Sequence, residues 1–234
     1  MPKIFVMIPT YNEALNILAL IEEILVLGVE NMHVLVVDDN SPDGTAKIVQ
    51  SLLKNNKNIH LLLRIENKGR GLAGIEGFKY ALANGADIVI EMDADFSHQP
   101  KHIPALLGAL KMADVVLGSR FIGAGVDKRE YKRRFLTVLC NLYANLILKL
   151  KLTDPNSGYR CYKRKVLELI IGDLKAIGAD IVQDVIYNCN QHGFKISEIP
   201  VEFKNRRLGE TTKTFKDFVN GAITCLRLRF GRQD

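Results

Sequence analysis

At 234 residues, with 47% hydrophobic and 25% charged side chains, the chain can enclose a sizeable core, which excludes a disordered tail or a fibrous repeat. A net charge of +6 points to a polyanionic partner: nucleic acid, an anionic membrane surface or a phosphate-bearing substrate. No uninterrupted apolar run of about 18 residues occurs, so no spanning helix is expected.

In chain order, apolar runs alternate with helical patterns. Residues 3–8 read as a strand with no basic leader before it, so no signal peptide is expected and the chain is assigned to the cytosol. An amphipathic helix follows over 13–27, a strand over 32–37, and a helix over 43–53 behind the turn Ser41-Pro42-Asp43-Gly44. Then come a strand at 59–63, a glycine-rich start to a helix over 71–83, a strand ending at Asp93, a helix at 103–112 and a strand at 114–118. Four strand–helix repeats predict right-handed crossovers and a doubly wound, mainly parallel sheet flanked by helices. After Arg120 this regularity lapses. Cys140, Cys161, Cys189 and Cys225 are widely spaced with no C-x-x-C, and read as reduced thiols.

Ligands of such sheets collect beyond the carboxyl ends of the strands. The first such end is Pro9-Thr10-Tyr11-Asn12-Glu13, where Tyr11 offers a flat face to a base and Glu13 an acceptor, although Thr10 or Asn12 could simply cap the next helix. The second is Asp38-Asp39, one to cap a helix and the other to hold a base or ribose hydroxyl. The third is Met92-Asp93-Ala94-Asp95-Phe96-Ser97-His98-Gln99-Pro100, whose carboxylates lie two residues apart and so point the same way from an extended segment. Asp93 and Asp95 could converge on a hard cation or its diphosphate ligand. His98 and His102 are four apart, but Pro100 lies between them and no third ligand is evident. Lys68 and Arg70, in a glycine-rich stretch without the Walker lysine pattern, could approach a diphosphate or merely start a helix.

Taken together, these three segments resemble the inverting family 2 glycosyltransferases of the GT-A fold, and among them the dolichol-phosphate (polyprenol-phosphate) mannose synthases. The resemblance continues through Gly118-Ser119-Arg120-Phe121, Asp154-Pro155-Asn156-Ser157-Gly158-Tyr159-Arg160 and Arg206-Arg207-Leu208-Gly209-Glu210-Thr211, so it covers nearly the whole chain. It implies a catalytic body over 1–213, in which Pro9, Tyr11, Glu13, Val37 and Asp39 line a nucleoside pocket. Asp93, Ala94 and Asp95 would then meet ribose and diphosphate, with Asp95 the foremost metal ligand, helped by Asp93 and Ser97. Mg2+ or Mn2+ suits such oxygens.

The implied reaction is inverting transfer of a hexose, mannose from GDP-mannose, to a dolichyl or polyprenyl phosphate. Arg120 and Arg134 would bind the acceptor phosphate, Arg120 and Arg206 the donor, and Asp184 the sugar. The family's closing R-x-x-G-x-S-K is altered here, because Thr212 stands at the lysine position and Lys213 follows one residue later, to be delivered to the diphosphate by a flexible loop. A UDP-sugar such as UDP-glucose, or a non-lipid acceptor, is the alternative within the family. A non-catalytic nucleotide-sugar or nucleic-acid binding module is the alternative outside it, but the basic residues lack the interleaved aromatics of a nucleic-acid platform.

The basic run 128–134 leads into a mainly apolar helix over 135–150, which suits either an interfacial element or packing against the sheet. A separate basic amphipathic helix is expected within 214–234, its apolar positions running over 215–230 and followed by Arg232. Peripheral attachment to the cytoplasmic face of a membrane, through these helices or a membrane partner, is the expectation.

Overall fold

A computed structural model describes residues 1–209 and 215–231. Its elements are β1 (Ile4–Thr10), α1 (Ile17–Val26), β2 (Met32–Asp38), α2 (Thr45–Leu53), β3 (Ile59–Leu63), α3 (Arg70–Ala83), β4 (Ile88–Glu91), α4 (Ile103–Ala109) and β5 (Val115–Ser119). They continue with β6 (Val126–Asp127), α5 (Tyr131–Leu148), β7 (Arg160–Lys163), α6 (Arg164–Ile170), α7 (Ile181–Gln191), β8 (Ile196–Pro200), β9 (Glu202–Phe203) and α8 (Phe215–Phe230).

Seven strands form one sheet in the order β3-β2-β1-β4-β7-β5-β8. All neighbours pair in parallel except β7, which runs antiparallel between β4 and β5. Every residue of β1 is buried, as expected of a strand covered on both faces. Its side chains alternate: Phe5 and Met7 join Leu35, Val37, Phe78 and Tyr162 on one face, while Ile4, Val6 and Ile8 meet Leu20, Ile21, Ile24, Ile103 and Leu106 on the other. Each such aliphatic side chain contributes about 1.5–3 kcal/mol by leaving water, so these two layers hold the sheet's carboxyl edge rigid.

The parallel strand–helix units appear where the apolar pattern puts them, with shifted ends. Helix α1 begins at Ile17, not residue 13, because Asn12 takes a left-handed turn (φ 59°) and the Glu13 carbonyl accepts the first helical hydrogen bonds from Asn16 and Ile17. Helix α5 begins at Tyr131 rather than 135, which places the end of the basic run, Lys132-Arg133-Arg134, on its first turn. Helix α8 packs against its neighbours: Tyr143 donates to the Ala222 carbonyl (3.1 Å) and Thr224 to Asp180 (2.8 Å). No disulfide joins the four cysteines. Among the described residues no helix is long and apolar enough to cross a membrane.

Candidate active site

A cleft of about 640 Å³ opens over the carboxyl ends of β1, β2, β4 and β5. The loops after β1 and β2 are stitched together. Asp38 is fully buried and accepts from the Ser41 amide (2.8 Å), the Ser41 hydroxyl (2.6 Å) and the Thr10 hydroxyl (3.0 Å). Of the two adjacent carboxylates it is therefore the one that holds the turn, and Asp39 is the one that lines the cleft. Asp39 accepts from Arg64 and from the Gly69 amide (2.7 Å), which ties it to the start of α3. That start lies close to a neighbouring loop. The Gly71 amide donates to the Ile177 carbonyl (2.8 Å), and a Cβ on Gly71 would sit 2.3 Å from the Ala176 carbonyl oxygen, so only glycine fits.

Pro9, Tyr11, Glu13, Asp39, Asp93, Ala94, Asp95, Ser97, Arg120 and Arg206 all line this cleft. Glu13 accepts from Arg206 (2.8 Å) and Asn16 (2.9 Å). Burial pushes its carboxyl above the ordinary carboxylate range, against the pull of Asn16 and Arg206. The Asp93 amide donates to Nδ1 of His98 (2.9 Å), whose ring stacks on Tyr159. The Ser97 amide donates to Asp95 Oδ1 (3.0 Å), and the Arg207 amide to the Asp95 carbonyl (2.9 Å). Backbone bonds from both sides thus fix the D-x-D turn.

Arg120 forks onto Asp154 through Nε and Nη2, both at 2.6 Å, and its guanidinium lies 5.0 Å from the centre of the Phe203 ring. Arg129 forks in the same way onto Asp127 (2.9 and 2.6 Å) and lies 4.8 Å from that ring. One phenyl ring therefore serves two paired guanidiniums. Asn141 braces Asp154 from α5 (3.1 Å), and Asn145 exchanges hydrogen bonds with Leu152, so the two asparagines of that helix hold the loop that carries Asp154.

Three expected site residues are placed elsewhere. Val37 is fully buried in the core beneath α3, because its position in β2 faces the sheet interior. Asp184, expected beside the sugar, is buried and accepts from the Lys175 and Ala176 amides (2.7 and 2.9 Å) and from Asn188 (2.9 Å), so it braces the 175–176 backbone. Arg134 is exposed and is absent from the cleft wall, which instead carries Arg129 and Arg133. Lys213 lies outside the described residues. His98 and His102 both spend a ring nitrogen on a backbone amide, those of Asp93 and Glu202. The sequence reading missed Arg64, Arg129, Arg133 and Phe203. For Arg129 a signal existed, an aspartate two residues before it at a strand end.

A second cavity of about 540 Å³ lies between α5, α8 and the start of α7. Leu136, Leu139, Tyr143, Ala144, Val182, Phe218 and Ala222 make much of its wall. It shares Arg120, Arg129, Arg133, Asn156, Ala179, Val182 and the carboxylate Asp217 with the first cleft. No group of three or more His, Cys, Asp or Glu side chains able to hold a metal occurs among the described residues. The oxygens of Asp95, Asp93 and Ser97 still suit Mg2+ or Mn2+, since such ions take one or two carboxylates and complete their shell with phosphates and water.

Residues 5–171 match the family model for glycosyl transferase family 2. The chain is 38% identical over 213 residues to an undecaprenyl-phosphate mannosyltransferase of Micrococcus luteus, covering 89% of this chain and 86% of that one. It is 37% identical over 213 residues to a polyprenol monophosphomannose synthase of Mycolicibacterium smegmatis, covering 88% and 79%. Its fold is similar to that of glucosyl-3-phosphoglycerate synthase from Mycobacterium tuberculosis, solved with Mn2+, UDP and glucosyl-3-phosphoglycerate. The TM-score is 0.74 at 21% identity, over 100% of this chain and 81% of that one.

Proposed function

The chain belongs to glycosyl transferase family 2, and from that premise we propose that it transfers mannose from GDP-mannose to a polyprenyl phosphate, with inversion, to give a β-linked lipid-phosphate sugar. It is a glycosyltransferase of GT-A fold. The observation that carries the proposal is the meeting of two cavities at Arg120, Arg129 and Arg133. A cleft edged with carboxylates suits a nucleotide-sugar and its cation, an adjoining more apolar cavity suits the first units of an isoprenoid, and the arginines between them suit the acceptor phosphate.

Each group then has a task. Tyr11, with 46% of its surface exposed at the cleft, offers a face to the base. Asp39 and Glu13 accept from base or ribose. Asp95, with Asp93 and Ser97, would hold Mg2+ or Mn2+, which when bound neutralises charge on the departing diphosphate. Arg206 adds positive charge at the donor side, and Lys213 is assigned the same task. A phosphate acceptor is anionic near neutral pH, so it needs no general base. The protein's task is to bring two anions together, which Arg120 and Arg133 do by charge. Attachment to the membrane that holds the acceptor would run through the exposed apolar side chains of α5 and α8 or a membrane partner.

Labelled GDP-mannose, UDP-glucose and UDP-N-acetylglucosamine, each given with a short polyprenyl phosphate and Mg2+ or Mn2+, test this. Lipid-linked product is expected from GDP-mannose alone, and loss of a metal ligand in Asp95→Ala should cost about 100-fold or more in kcat. Product from a uridine donor would replace the donor assignment. Absence of lipid product from every donor would overturn the acceptor.

A further inference from the structure

Arg70 is the first residue of α3 and lines the cleft, yet donor binding as described above does not use it. Its Nη2 donates to Glu91 Oε1 (2.9 Å) and to Asp93 Oδ1 (3.3 Å), so one nitrogen spends both hydrogens on two carboxylates. Glu91 is 1% exposed, and its other oxygen accepts from the Tyr162 hydroxyl (3.1 Å). Nη1 of Arg70 is buried beside Gly74 with no hydrogen-bond partner among the described residues. Burying an unpartnered guanidinium nitrogen is unfavourable. An apolar side chain would avoid that cost but would leave the buried Glu91 carboxylate without its ion pair, so Glu91 accounts for the charge and the contact to Asp93 is what remains to be explained.

We propose that Arg70 is a positioning residue that holds part of the Asp93 charge on the protein side of the empty donor site and leaves Asp95 as the principal carboxylate that gathers the metal. This rests on the donor-site reading above. Two bare carboxylates at one strand end would attract a divalent cation before any substrate arrived. A guanidinium against one of them opposes the cation by simple Coulomb repulsion. The metal is then held weakly by the empty protein and firmly only with the nucleotide diphosphate, which supplies the missing negative charge. The contact to Asp93 is longer than the 2.7–2.9 Å usual for an ionised pair, whereas that to Glu91 lies within this range. Buried Glu91 is thus the anchor, and Asp93 keeps part of its charge for the substrate.

Mn2+ binding to the nucleotide-free protein, read by electron paramagnetic resonance, tests the inference. R70Q removes the cation, keeps a donor for Glu91 and leaves the Glu91 charge in place. It should bind Mn2+ on the order of tenfold more tightly than the wild type, and the gain in affinity on adding GDP should shrink by the same factor. R70K, which keeps the charge, should match the wild type in both. R70M/E91Q, which removes two opposite charges together, should stay near the wild-type affinity, and R70N gives the same reading as R70Q should that variant not fold. Unchanged Mn2+ affinity in folded R70Q or R70N would overturn the role of Arg70. If GDP fails to improve Mn2+ binding even in the wild type, the donor-site reading itself falls.

Discussion

Arg133 and Arg134 differ by one position and, on the geometry, by their task. One step along a helix turns a side chain by about 100°, which takes it here from the wall between two cavities to open solvent. Within Lys132-Arg133-Arg134 nothing in residue type reveals that phase. Arg133→Ala should raise KM for the lipid phosphate about 10- to 100-fold, the worth of one charge-assisted hydrogen bond, with donor KM little changed. Arg134→Ala should change either constant less than about threefold. Steady-state kinetics on both variants decide it, and the reverse pattern would restore Arg134 to the acceptor site. The strand-end acids were readable for the opposite reason: in a parallel sheet the end of an apolar run fixes where the next side chains go. Asp184 was not readable, because its true partners are backbone amides at 175 and 176, brought near only by the folded chain.

Among the elements, β1 to β5 and their helices followed from apolar runs of the right period, and their ends did not. Strand β7 escaped: its four residues, Arg160-Cys161-Tyr162-Lys163, carry no long apolar run, and Arg160 is buried by bonding to the Ser157 and Pro155 carbonyls. Strand β3, at the edge of the sheet, holds a feature with a pH signature. His60 meets His33 of β2 across 3.0 Å and the Tyr80 hydroxyl of α3 across 3.2 Å, with Phe5 beneath and Lys3 near. Burial, then the Lys3 charge, holds both imidazoles below the ordinary histidine range. The unfolded chain therefore binds more protons than the folded one once pH falls below about 6.5, and the pair's contribution is lost progressively from there down through the lowered folded values. The urea midpoint should drop between about pH 7.5 and about pH 5.5, and drop less in a His33→Gln, His60→Gln double variant. Equal drops would exonerate the pair.

For the molecule as a whole, a cleft edged with carboxylates meets a second, more apolar cavity, and α5 and α8, which wall that cavity, also carry exposed apolar side chains. Leu142 and Leu146 on α5 are 61% and 77% exposed, and Ile223 and Leu226 on α8 are 40% and 43% exposed. Lys132 and Arg134 on α5, with Arg227 and Arg229 at the far end of α8, add positive charge. Apolar side chains with a basic margin match an anionic bilayer surface. Co-flotation with phosphatidylglycerol-containing vesicles should be strong at low salt, weaker with phosphatidylcholine alone, and lost in Leu142→Glu, Leu146→Glu. Unchanged flotation of that variant would send the search to a protein partner.

The place of β7 has a further consequence, for the order in which the chain can fold. Strands β4 and β5 are neighbours in sequence but not in space, because β7, synthesised some forty residues after β5 ends, fills the gap between them. As the chain leaves the ribosome, β3, β2, β1 and β4 can assemble at once, with one side of β4 left unpaired. Strands β5 and β8 can join that sheet only through β7. Long-range closure of this kind slows folding and leaves a strand edge open meanwhile, so a nascent chain stalled before Arg160 exposes an apolar, template-like edge for as long as it waits.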